Sequence, residues 1–302
     1  MRAYWSLRQV AEAGLAAPFS GSEEEAADEL DRLLRQALAG QVIADVPLGA
    51  FLSGGIDSST VVALMQAQAS RPVKTFTIGF HEGEYNEAQH AAAVARHLGT
   101  EHTELYVTPE QAMAVIPRLP QLYDEPFADS SQIPTFLVAQ LARQQVTVCL
   151  SGDGGDELFG GYNRYFWTDR LWRRLGGVPA ALRQGVANGL TAVSPSAWNR
   201  LWAVAGPLLP RRLRLPNPGD KLHKLAEVLR ADGPQAIYHR LVSHWWHPEA
   251  LVLGAREAAT ALTQPETWPA LDDPRLWMMA LDAVTYLPDD ILVKVDRAAM
   301  GV

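Results

Sequence analysis

Val46-Pro47-Leu48-Gly49-Ala50-Phe51-Leu52, then Ser53-Gly54-Gly55-Ile56-Asp57-Ser58-Ser59, then Thr60 to Ala69: the fold is decided in this stretch. The first run is apolar and reads as a strand over 46–52. The last is compatible with a helix over 58–69. The middle joins them as a strand-to-helix loop. Adjacent glycines let the backbone turn and bring its N–H groups close to an anion. Ser53, Ser58 and Ser59 add hydroxyl donors, and the start of a helix adds unpaired N–H groups and the positive end of its dipole. Phosphate suits such a loop. A bare glycine pair is more often a simple turn, but the full string in its strand–loop–helix setting favours a site. Asp57 would repel phosphate unless Mg²⁺ lay between them, held by one or two carboxylates and phosphate oxygens. The lysine-bearing phosphate loop, G-x-x-x-x-G-K-[ST], occurs nowhere in the chain.

Strands and helices alternate outward from this loop. Ser22 and Glu25 form a capping box for a helix reaching about Ala39, preceded by a linker or arm over 1–21. A strand is expected over 74–79, a helix from about Asn86 to Leu98, a strand over 102–107, a helix over 108–116, a helix over 130–143 and a buried strand over 146–150. This rhythm predicts a parallel sheet covered by helices on both faces, an α/β domain over 22–165. Ligands of such sheets sit at the carboxyl ends of strands. After about Tyr165 strand signals vanish, and prolines punctuate short helices. Residues 166–302 therefore read as a mainly helical region, with a loop near 215–219.

The chain of 302 residues is 48% apolar and 20% charged, as in ordinary globular proteins. Its net charge of −8 argues against a nucleic-acid partner held by a global basic field. No apolar run approaches the ~20 residues that span a bilayer, and the first residues lack a signal-peptide pattern. One cysteine, Cys149, excludes an internal disulfide and suits a reducing cytoplasm.

A second glycine-rich loop follows the strand at 146–150: Ser151-Gly152-Asp153-Gly154-Gly155-Asp156-Glu157-Leu158-Phe159-Gly160-Gly161-Tyr162. By itself it reads equally as a solvated acidic turn. Paired with the first loop, Asp57 and Asp156 would share one metal ion. Asp124, Glu125 and Asp129 are weaker candidates, with a capped helix start near Pro126 as the alternative. Lys294, Asp296 and Arg297 stand in an apolar stretch and need partners. They read either as an internal ion pair or as a basic group reaching toward a nucleotide. His244-Trp245-Trp246-His247 reads as an aromatic packing patch rather than a metal site. Cys149 reads as inert core.

The ordered segments S-G-G-I-D-S-S, T-F-T-I-G-F, D-E-P-F-A-D-S-S, S-G-D-G-G-D-E-L-F-G-G-Y and L-P-D-D-I-L-V-K-V-D-R-A-A-M resemble the synthetase domain of glutamine-dependent asparagine synthetase. The first of them is similar to the pyrophosphate loop of the N-type ATP pyrophosphatases. The resemblance implies an adenine nucleotide alpha-hydrolase-like fold and the cofactors ATP and Mg²⁺. It implies that Leu52, Ser53, Gly54, Gly55, Asp57, Ser58 and Ser59 hold ATP, chiefly its pyrophosphate. Ile78, Ser151 and Gly152 would touch the nucleotide from neighbouring strand ends. Asp57 and Asp156 would bind Mg²⁺, and Asp153 would line the intermediate and assist proton removal.

The reaction so implied makes asparagine from aspartate and ammonia through a β-aspartyl-AMP intermediate, releasing AMP and pyrophosphate. Two rivals stand beside it: a relative acting on another carboxylate (a sugar acid, a peptide or a β-lactam precursor), and a non-catalytic ATP-binding subunit. The family's amino-terminal glutaminase begins with a cysteine after the initiator methionine, where this sequence has Arg2. The expectation is therefore no glutaminase activity in this chain, and nitrogen from free ammonia or a separate glutaminase domain or subunit. The family also continues past D-R-A-A-M to a catalytic lysine-bearing loop, and Lys294 is not that lysine. A homo-oligomer is compatible with the sequence, which calls for no nucleic acid and no membrane.

Overall fold

The computed structural model describes residues 3–81, 87–205, 217–243, 245, 250–256 and 258–302. Two units emerge, one formed by 1–161 with 280–302 and the other by 162–279. The first opens with α1 (Leu7–Ala16), capped by Ser6, and α2 (Glu23–Gln41), whose capping box joins Ser22 and Glu25. The region expected as an arm thus holds a short helix. That helix buries none of its residues.

The sheet then builds through β1 (Leu48–Phe51), α3 (Ile56–Gln68), β2 (Lys74–Phe80), α4 (Ala88–Leu98) and β3 (Glu101–Val107). Next come α5 (Pro109–Val115), α6 (Leu119–Tyr123), α7 (Gln132–Arg143), β4 (Val148–Leu150) and α8 (Gly155–Phe159). The expected helix start at Asn86 lies outside the described residues. Four parallel strands run in the order β3-β2-β1-β4. Ala50 lies opposite Thr75 on one side and Leu150 on the other. From β1 the chain steps outward to β2 and β3, then crosses back to add β4 on β1's free edge. The direction of winding therefore reverses between β1 and β4, and in open α/β sheets this reversal opens the ligand crevice.

Burial explains the strands. Ala50, Leu52, Thr75, Phe76 and Thr77 are enclosed. Leu52, Val62, Leu64, Met65, Ala91 and Ala95 form a core between β1, α3 and α4. On the other side Val107, Val115, Phe136, Leu137 and Ala298 cluster, with Ile78 packed against them.

The second unit is helical, with α9 (Asn163–Leu175), α10 (Ala180–Thr191), α11 (Pro195–Ala205), α12 (Pro218–Leu229) and α13 (Pro234–Val242). Its buried Arg183 donates to the carbonyls of Val178, Leu229 and Ala231, so a charge there binds helix ends together. Leu215 and Pro216, expected in a loop, lie outside the described residues. α14 (Pro274–Val284) and α15 (Leu292–Met300) complete the chain. Between them Leu287–Ile291 form a π-helical turn. Pro288 cannot donate an N–H, and widening the turn relieves the break it makes in the ladder. Residues 280–302 thus belong to the sheet-bearing unit rather than to the helical one.

Charge is divided unevenly. The sheet-bearing unit has 25 Asp and Glu against 11 Lys and Arg, and the helical unit 9 against 15.

Candidate active site

The loop after β1 is built by its own backbone and hydroxyls. Gly54 has φ +81°, a left-handed conformation, and a Cβ there would lie 2.7 Å from the Ala91 nitrogen. Only glycine satisfies both conditions. Gly55 is the N-cap of α3, and no side chain caps that helix. Its N–H donates to Ser53 Oγ at 3.2 Å. The Ser53 and Ser58 hydroxyls meet at 3.0 Å, and the Ser53 N–H donates to Ser58 Oγ at 3.3 Å. Ser59 Oγ is enclosed with no hydrogen-bond partner. The helix begins at Ile56, two residues earlier than expected, so Asp57 and Ser58 fall in its first turn. There the orphan N–H groups and the dipole favour an anion.

The loop after β4 lies directly on this turn. A Cβ on Gly152 would stand 2.7 Å from the Ser58 nitrogen. A Cβ on Gly155 would stand 2.8 Å from both carboxylate oxygens of Asp57. Partial burial, and then the charge of Asp156, push the Asp57 carboxyl above its ordinary range. The charge of Asp156 is thus felt at Asp57. Asp156 is seated against Gly161, whose N–H donates to the Asp156 carbonyl at 3.0 Å. Asp153 is exposed, and the Ser151 hydroxyl donates to its Oδ2 at 2.7 Å.

Ile78 lies on the neighbouring strand, two residues beyond Phe76, the register partner of Phe51. β2 runs two residues past it to Phe80, and its side chain packs on the Val107–Phe136 cluster. Among the described residues no three His, Cys, Asp or Glu side chains gather as a metal site. The carboxylates of Asp57 and Asp156 nevertheless fit Mg²⁺, while the uncapped helix start and the unpartnered hydroxyl fit the phosphate that would share the ion.

Four of the other candidates form ion pairs. Lys294 Nζ lies 2.8 Å from Asp129 Oδ2, and Arg297 Nη1 lies 2.9 Å from Asp124 Oδ2. Asp129 also accepts from the Ser131 N–H at 2.7 Å, but α7 begins at Gln132 without a side-chain cap, so the capped start expected near Pro126 is not found. Burial pushes the Cys149 thiol up to about 12, consistent with inert core. Trp245 is exposed, while His244, Trp246 and His247 lie outside the described residues. Sequence reasoning passed over Gly155 and Gly161 as contact points for the two acids. Their signal was the spacing G-G-D-E-x-x-G-G, which brackets Asp156 with glycines.

The family model described as asparagine synthase matches residues 29–302. The chain belongs to the asparagine synthase family. A relative named asparagine synthetase [glutamine-hydrolyzing] 1, from Bacillus subtilis, is 40% identical over 286 residues, 94% of this chain and 42% of its own length. A putative asparagine synthetase [glutamine-hydrolyzing] from Mycobacterium bovis is 32% identical over 299 residues, 95% of this chain and 41% of its own length. A Methanocaldococcus jannaschii protein with a similar name is 46% identical over 136 residues, 45% of this chain and 26% of its own length. This asparagine synthase-family chain therefore spans about two fifths of the first two relatives' length. Among its described residues no helix is long and apolar enough to cross a membrane.

Proposed function

We propose that this chain carries the ATP-using, amide-forming step of an asparagine synthetase. The observation that carries the reading is the meeting of two glycine-rich acidic loops, from the ends of β1 and β4, over the first turn of α3. Ser53, Gly54, Gly55, Ser58 and Ser59 receive the pyrophosphate of ATP, with Leu52, Ser151 and Gly152 beside the nucleotide. Ile78 contributes from the core side. An aspartate side-chain carboxylate oxygen attacks the α-phosphorus, and the bond to the β-phosphate oxygen breaks. The first-turn N–H groups of α3 stabilise the charge that builds on the leaving pyrophosphate.

Asp57 and Asp156 would hold Mg²⁺, which would neutralise phosphate charge when bound. Ammonia then attacks the acyl carbon of β-aspartyl-AMP, and AMP departs. The nitrogen loses one proton, which Asp153, exposed on the second loop, would receive. Nitrogen comes from free ammonia or from a glutaminase domain or subunit. A reducing cytoplasm suits the single cysteine.

The test is pyrophosphate release from Mg·ATP with a panel of carboxylates, using ammonium or glutamine as nitrogen source. Release that needs both aspartate and ammonium, with asparagine and AMP formed in equal amount, is the expected result. Release with a different carboxylate would move the chain to a relative's substrate. Tight Mg·ATP binding with no release from any carboxylate would leave a nucleotide-binding subunit and sink the ligase reading.

A further inference from the structure

Lys294 is only 8% exposed, on the inner face of α15. Its ammonium donates to Asp129 Oδ2 at 2.8 Å and to Ser131 Oγ at 2.7 Å. The Ser131 hydroxyl donates onward to Asp129 Oδ1 at 2.7 Å. Burial would raise the Asp129 carboxyl, but its bonds to Lys294 and Ser131 and the lysine's charge outweigh this and hold it below the usual carboxylate range. The Tyr123 hydroxyl donates to the Lys294 carbonyl at 3.3 Å, and Ala298, one turn on, is enclosed by the Val107–Phe136 cluster. The ammonium's bonds fix α15 against the start of α7, and the Tyr123 bond ties it to α6.

α15 continues without a break from the π-helical turn, whose Leu292 N–H bonds to the Leu287 carbonyl. Leu287 reaches the second acidic loop: its Cδ2 lies 3.7 Å from where a Cβ of Gly154 would stand. Gly154 is left-handed, with φ +91°, and lies between Asp153 and Asp156. A loop with three glycines has few side chains with which to fix its own shape.

We propose that the buried Lys294–Asp129–Ser131 cluster is a positioning device for the acidic loop 151–156, acting through α15, the π turn and Leu287. An apolar contact tolerates sliding. An ammonium that must meet two defined oxygens does not, because rotating α15 by one residue would carry Nζ off both. A buried pair of this kind adds little net stability, which leaves positioning as its role here. The purpose of the device rests on the function proposed above: Asp156 must stay close to Asp57.

Hydrogen exchange on the ligand-free chain tests it. The informative variant is the double Asp129→Asn/Lys294→Met, which removes both charges and leaves neither unpaired. It should melt near the parent temperature, yet residues 151–159 should exchange faster while 53–59 keep their protection. Leu287→Ala, which leaves the buried pair intact, should loosen the same residues, and Lys294→Arg, which keeps the charge, should leave them closer to the parent than the double variant does. A companion assay follows pyrophosphate release against Mg²⁺. The double variant should need about tenfold more Mg²⁺ for half-maximal rate, as when outer supports of a metal site are lost, with a smaller change at saturation. Parent-like exchange of 151–159 in both the double variant and Leu287→Ala would overturn the proposal. If the parent chain releases no pyrophosphate, the function proposed above fails, while the exchange result still decides the positioning role.

Discussion

In the metal-free chain Asp57 is held against its preference. Partial burial and the neighbouring charge of Asp156 raise its folded-state pKa above the unfolded value. The stability this lends the protonated form is complete below the unfolded pKa and is lost as pH rises through the folded one. Asp57→Asn should therefore raise the melting temperature in chelator at about pH 7, with the gain vanishing at about pH 3, where the parent carboxyl is protonated in both states. An equal shift at both pH values would show that charge is not the cause. Gly155→Ala is the complementary probe. Its Cβ would meet the Asp57 carboxylate oxygens at 2.8 Å, forcing that side chain aside. Pyrophosphate release should fall about a hundredfold with a near-parent melting temperature, and an unchanged rate would contradict the geometry. Cys149, with its thiol pushed up to about 12 by burial, should resist alkylation at pH 8 until the chain is unfolded, followed by mass spectrometry.

At the scale of elements, α3 connects the loop to the core. Met65 is 5% exposed and packs with Leu52, Val62 and Ala95. Met65→Ala should cost about 2–5 kcal/mol in urea unfolding, without changing the Mg²⁺ dependence of pyrophosphate release. A shifted Mg²⁺ dependence would mean that α3 packing sets the site directly. This is also the scale at which sequence reading was strongest and then ran out. The glycine loop was legible because S-G-G-x-D-S-S joins a strand pattern to a helix pattern within a few residues. The strand boundary was less so. Pro47 has no N–H and serves only as an acceptor for Thr147 and Val148, so β1 starts at Leu48, not Val46. α7 starts at Gln132 because the Asp129 side chain captures the Ser131 amide and hydroxyl, local bonds that compete with a helical turn. The partner of Lys294 was not legible, since Asp129 lies 165 residues away and no local pattern encodes that distance.

Across the whole molecule the uneven charge matters. The unit that bears the candidate site has 25 acidic residues against 11 basic ones, and free ATP is itself anionic. In chelator, ATP should bind more tightly as salt rises from about 0.01 M to about 0.15 M, as the Debye length shortens from about 30 Å to about 8 Å. Mg·ATP should respond less. Calorimetry at the two salt levels checks this, and an ATP affinity that falls with salt would point to basic groups dominating instead.

The strand order has a temporal consequence as well. β1 pairs with β4, placing Leu48 beside Val148, so the crevice closes only after about a hundred residues of intervening chain have folded. On a ribosome the first glycine loop would emerge long before its acidic counterpart. A nascent chain stalled with β4 still in the exit tunnel should fail to retain a nucleotide analogue, and one stalled well beyond it should capture the analogue at once, making nucleotide capture a clock for completion of the sheet.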